Sequence, residues 1–179
     1  NINEYFDKFI LLAKIFEARG WLDETEKILY LLNEGKIDPY QKQALTVYQL
    51  RMAAEFQGLP EIKRLLPLVR SGDFFNNDFR LEREHALLLT DFRLNNYESA
   101  IIRYLTIIEK GFNIPDHVFF QSEFIEQLII HNQSHRLNEF TYIQPSKQST
   151  YERLQMKLIK SHLSEFKQLF TEFIRYEKI

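Results

Sequence analysis

Cysteine is absent from the 179 residues. That excludes disulfide stapling, thiolate catalysis and a cysteine-based zinc site. Glycine and proline are scarce, at 5 each. Such a composition suits long helices with short joints and fits a sandwich of many tight turns poorly. No apolar run approaches the roughly 20 residues of a membrane span, and no signal-peptide pattern stands at the start. No charge of one sign dominates, since 23 basic and 25 acidic residues leave a formal net charge of -2. A grip on nucleic acid needs a basic surface, so neither nucleic acid nor a membrane is an expected partner. The missing cysteines fit a cytoplasmic location. The chain begins at Asn1 rather than Met, so it reads as a fragment of a longer protein, whose targeting segment would lie outside it.

Catalytic signatures are missing too. The glycines at 20, 35, 58, 72 and 111 each fall at a predicted helix end, and none builds a phosphate loop. No serine sits in a G-x-S-x-G context. His131 and His135 share a spacing of four, which can place two imidazoles on one helical face. Their segment, HNQSH, lacks a glutamate that could act as a general base, so the pair reads as satisfied or solvent-facing. His85, His117 and His162 are isolated. Asp23, Glu24 and Glu26 sit at a helix start, where negative charge is favoured locally. Glu82 and Glu84 flank Arg83 on a predicted exposed face. No enzyme activity and no cofactor are therefore expected of this chain.

What is present is a periodic stripe. In LNNYESAIIRYLTIIEKG, residues 94–111, Tyr97, Ala100, Tyr104 and Ile107 fall on one line of a helix. The same spacing recurs upstream as Leu22, Thr25, Leu29 and Leu32, and as Leu59, Ile62, Leu66 and Val69. A helical stripe returning every 37 or 38 residues marks stacked helix hairpins. The predicted fold class is all-α: antiparallel hairpins with a long C-terminal capping helix. A non-repeating helical bundle is the alternative.

The expected units are residues 4–35, 40–70, 79–111 and 116–143, with the cap at 151–177. The first helix should cover Glu4 to Arg19 and stop at Gly20. Asp23 is the expected N-cap of the second, with Glu26 as capping-box partner. Pro39 suits a first turn. Pro67 should kink or shorten the fourth helix. Phe74 and Phe75, in the linker 71–78, should pack into the array, and QPSKQST at 144–150 reads as a loop. The last helix, Tyr151 to Glu177, carries Leu158, Ile159, Leu163, Phe166, Phe170 and Phe173 on one face. That face either seals the array or makes a homodimer.

These units resemble the tetratricopeptide-repeat (TPR) superfamily. Phe9, Ala13, Phe16 and Gly20, followed by the stripe from Leu22, carry the resemblance in the first unit. Leu50 and Ala53 do so in the second, and LNNYESAIIRYL in the third, with Asn95 standing where glycine is usual. Glu84 and Asp91 occupy expected core positions of the third unit, and the fourth is truncated. The resemblance implies a right-handed TPR-like superhelix whose first helices line a concave groove for a protein or peptide. Carried over, the inner positions are Ile10, Lys14 and Glu17; Val47, Tyr48, Arg51 and Ala54; His85, Leu89, Phe92 and Arg93. The expected partner-binding set is Lys14, Glu17, Tyr48, Arg51, His85, Phe92 and Arg93. Ile10 and Lys14 stand where a carboxylate clamp would need Lys and Asn, so no clamp is expected. An interaction module, such as the sensing or regulatory domain of a larger bacterial protein, is the leading expectation. The alternatives are an accessory helical domain of a larger enzyme, such as a glycosyltransferase, and a helical-repeat nucleic-acid binder.

Overall fold

The computed structural model describes residues 5–71, 79–110 and 114–140. The predicted capping helix, the 144–150 loop and the Phe74–Phe75 pair lie outside the described residues. The described residues are helical and contain no strand: α1 Phe6–Ala18, α2 Leu22–Glu34, α3 Pro39–Phe56, α4 Leu59–Arg70, α5 Arg80–Arg93, α6 Tyr97–Lys110 and α7 Ile114–Ile130. A 3₁₀ turn, Ser134–Arg136, and the short α8, Leu137–Phe140, follow. The chain divides into two compact units, residues 1–103 and 104–179, with the division falling inside α6.

The ends of α1, α3, α5 and α7 repeat at the predicted interval: Ala18, Phe56, Arg93 and Ile130. Three of these ends share one device. Gly20, Asn95 and Asn132 adopt positive φ of 76°, 59° and 57°. The residue after each donates its amide back into the helix: Trp21 to the Phe16 carbonyl, Asn96 to Asp91 and Gln133 to Leu128. This is the Schellman closure, which satisfies orphan carbonyls at a left-handed residue. An apolar contact commonly accompanies it, and here Phe16 and Trp21 supply one, with ring centroids 5.5 Å apart. The fourth end differs. Gly58 is extended, and a Cβ there would meet Pro60 Cδ at 3.3 Å.

One sequence expectation is corrected. Asp23 does not cap α2, because the helix already begins at Leu22, with Trp21 at the N-cap and no side-chain cap. The Schellman turn sets the chain direction one residue early, and Asp23 is left in the first turn. Thr25 ties this start down, its hydroxyl donating to the Trp21 carbonyl at 2.9 Å and to the Ala13 carbonyl of α1 at 3.3 Å. The α4 helix keeps its full length, Leu59–Arg70, with Pro67 inside it. Pro67 and Lys63 are both exposed, so the Lys63 carbonyl that loses its helical partner can turn to water. A capping box forms instead at α3. The Asp38 carboxylate accepts from the Gln41 amide at 2.8 Å, Gln41 Oε1 accepts from the Asp38 amide at 3.2 Å, and Pro39 opens the helix.

In the first unit α1 packs on α2, and α3 packs on both α4 and α5. One core cluster joins Phe6 and Ala13 of α1, Ile28, Leu29 and Leu32 of α2, and Leu45, Tyr48 and Met52 of α3. A second joins Val47, Leu50 and Ala53 of α3, Ile62, Leu65 and Val69 of α4, and Phe79, Ala86 and Leu87. The α3 helix thus buries two faces into two clusters, which explains why apolar residues are spread around it rather than confined to one stripe. Of the predicted stripes only Leu59 stays exposed. It sits in the first turn of α4, short of the core. In the second unit Tyr104 stacks on Phe124, with centroids 4.1 Å apart and rings 4° from parallel, and Phe120 lies parallel at 6.3 Å.

Candidate functional site

Of the acidic residues of α5, Glu82 is exposed as expected, Glu84 is half-buried and Asp91 faces inward. Asp91 is fully buried. Its carboxylate accepts from Arg103 of α6 at 3.0 Å and from Arg70 of α4 at 3.3 Å, and Arg103 also pairs with Glu84 at 2.8 Å. Burial pushes the Asp91 carboxyl above its ordinary value even though Arg103 and Arg70 oppose the shift. The two acids standing at core positions of the third unit are therefore an interhelical clamp.

The expected groove residues divide into three groups. Glu17, Tyr48 and Arg51 come together. Glu17 accepts from the Tyr48 hydroxyl and from both terminal nitrogens of Arg51, each at 2.6 Å. Arg51 lies over the Tyr48 ring at 4.9 Å and also pairs with Glu55 at 2.8 Å. Burial disfavours the Glu17 carboxylate, but the bonds from Arg51 and Tyr48 outweigh it and hold the carboxyl below its usual value. Burial, together with Glu17, raises the Tyr48 phenol. The three side chains satisfy one another across the α1–α3 boundary. His85 and Phe92 form a second group, both buried. Phe92 packs against Tyr97 with centroids 6.0 Å apart, so it is a core residue and presents nothing to a partner. Lys14 and Arg93 remain exposed, and Arg93 donates to the Gln57 carbonyl at 3.2 Å. Among the other inner positions Val47, Ala54 and Leu89 are buried as well.

A concave feature of the first unit lies elsewhere. A groove of about 800 Å³ opens between α2 and α4 with α3 beneath it. Leu29, Met52 and Leu65 make its floor, and Tyr30, Leu31, Asn33, Gln49 and Gln57 line it. Tyr30 and Leu31 are 64% and 56% exposed. The rim carries Asp23, Glu26 and Glu61 against Lys27 and Arg64. Glu61 and Arg64 pair at 2.7 Å, and Gln57 donates to Glu26 at 2.7 Å. The sequence held a signal for this groove. ILYLL, residues 28–32, has five successive apolar residues, whereas one helix face can bury only three of them. Ile28, Leu29 and Leu32 go inward, leaving Tyr30 and Leu31 outside.

Protein-family models, curated proteins and solved structures contain no match to this chain.

His131 and His135 do not share a helix face. The α7 helix ends at Ile130, His131 lies in the turn where Asn132 takes positive φ, and His135 lies in the 3₁₀ turn. Among the described residues no group of three potential ligands is gathered for a metal ion, and no helix is long and apolar enough to cross a membrane.

Proposed function

We propose that this chain is an interaction module built as a TPR-like superhelix, and that it binds a segment of another protein in the groove between α2 and α4. The groove carries the reading. Tyr30 and Leu31 stand exposed over an apolar floor of Leu29, Met52 and Leu65, an arrangement of exposed aromatic and aliphatic anchors beside a pocket that suits protein recognition. The regular return of the helix ends supports the superhelical arrangement. Protein recognition was expected on the first helix of each pair. The reading moves it to the second, because Glu17, Tyr48 and Arg51 are engaged with one another and Phe92 is buried.

A panel of displayed peptides, about 16 residues long and so roughly 24 Å as helices, tests this. Selected peptides should bind with micromolar affinity by fluorescence anisotropy, and Tyr30→Lys should weaken them at least tenfold. Failure to select any peptide, or binding indifferent to Tyr30→Lys, would refute the groove as the site.

A further inference from the structure

We infer that the segment received by the groove is α1 of a second copy of this chain, in a head-to-tail contact. The inference rests on the groove's being a protein-binding site and names its occupant.

The α1 helix is apolar on more sides than its packing uses. Phe6 and Ala13 are buried, and Phe9, Ile10 and Phe16 pack at the edge of the same cluster. Tyr5, Leu11, Leu12 and Ile15 nonetheless remain exposed, with Leu11 60% accessible. Leu11, Ile15 and Ala18 follow the helical repeat and form one outer row, flanked by Leu12. Singly exposed leucines are ordinary, but a contiguous row on a helix asks for a cover.

Charge and size match the row to the groove. The outer side of α1 carries Lys8, Lys14 and Arg19 against Asp7 alone. Among the described residues the three cations form no salt bridge, although Lys14 interacts electrostatically with Glu17, Lys8 lies over Tyr5 and Arg19 over Trp21. The groove has the opposite balance. Glu61 and Arg64 cancel each other, leaving Asp23 and Glu26 against Lys27. Along α2 the lining runs from Asp23 to Asn33, about 15 Å at the helical rise, and α1 is about 20 Å long. The stretch of α1 from Lys8 to Ala18, also about 15 Å, therefore matches the length of the groove, with Leu11, Leu12 and Ile15 facing Tyr30 and Leu31, and cations facing acids at the rim.

The two faces are different patches of one molecule, so the contact is heterologous. Unless rotation closes a ring, each copy added exposes a fresh α1 and a fresh groove. Two variants at exposed positions isolate the halves. Leu11→Glu places an acid on the row that meets the acidic rim, and Tyr30→Lys places a cation in the groove that meets the basic helix. Both keep good helix formers, and circular dichroism confirms that each is folded.

Light scattering after size exclusion, from low-micromolar to roughly 0.5 mM chain, reads the result. The unaltered chain should gain mass steadily with concentration, and each variant alone should be monomeric. An equimolar mixture of the two variants should form a 1:1 dimer and nothing larger, because each variant keeps the half that the other lost. A chain that stays monomeric throughout overturns the inference, as does a mixture that fails to pair or a mass unaffected by either substitution. If the chain is monomeric yet selected peptides still bind through Tyr30, self-association falls while the groove reading stands. If nothing binds at all, both fall.

Discussion

Replacing Arg51 with Met should expose how much the Glu17–Tyr48–Arg51 cluster holds α1 to α3. The two charged side chains are 17% and 15% exposed and lie 2.6 Å apart. Removing one partner of a fully buried pair costs about 3–5 kcal/mol, and an exposed pair is worth about 0–1 kcal/mol. This pair lies nearer the buried limit, and Tyr48 still donates to Glu17 after the change. The expected loss is therefore about 2–3 kcal/mol. Glu17→Gln should cost about as much, because it leaves Arg51 with Glu55 alone. The double variant should recover about 2 kcal/mol of the summed losses, since no uncompensated charge then remains. Urea unfolding followed by the fluorescence of Trp21, the one tryptophan in the chain, measures all four corners. The pH dependence supplies an independent arm. Glu17 is held below its ordinary value, so its contribution is complete above that value and is lost as pH falls through the lowered one. The coupling should shrink over the same interval. A coupling within about 0.5 kcal/mol of zero at neutral pH would refute the reasoning, and so would a coupling unchanged in acid.

Other expectations are local. Gly20→Ala should cost about 1 kcal/mol, because φ is 76° and nothing else crowds the site; Asn95→Gly should gain a few tenths of a kcal/mol for the same reason. Both are read from urea midpoints. Asp38→Ala removes the capping box of α3 and should cost about 1 kcal/mol in the same assay. Asp91 behaves oppositely to Glu17 in acid. Its carboxyl is raised, so its contribution improves as pH falls through the raised value, and Asp91→Asn should steepen the acid loss of stability seen by circular dichroism. Tyr104→Ala should cost about 3–5 kcal/mol by thermal melting, because the ring stacks on Phe124 at 4.1 Å, while Tyr104→Phe keeps the stack and should cost about 1 kcal/mol or less.

The helix pairs and their interval were legible because burial imposes a 3.6-residue period and because turns consume particular residues. Gly20 and Asn95 mark left-handed helix ends, and Thr25, Ala100 and Tyr104 lie on a buried line. Local starts were less legible. Asp23 looked like a cap, but the turn at Gly20 and Trp21 began α2 before it. The site was the least legible part. A row of inner positions says which residues share a helix face, and nothing about which neighbour has already claimed them. Phe92 and Arg51 belong to the same expected row, yet one is core and the other a bridging cation.

The sequence by itself determined the helical class of the described residues, the positions at which most helices stop, and the stripes that turn inward, because these follow from local backbone geometry and from the removal of apolar side chains from water. The tertiary structure alone decided the partners. It turned Asp91 and Glu84 into a clamp for Arg103, absorbed Glu17 and Arg51 into one another, and left Tyr30 and Leu31 outside over a groove. Those outcomes depend on which helix lies across from which. That choice brings together residues such as Glu17 and Arg51, 34 positions apart in the chain, and no local period encodes it.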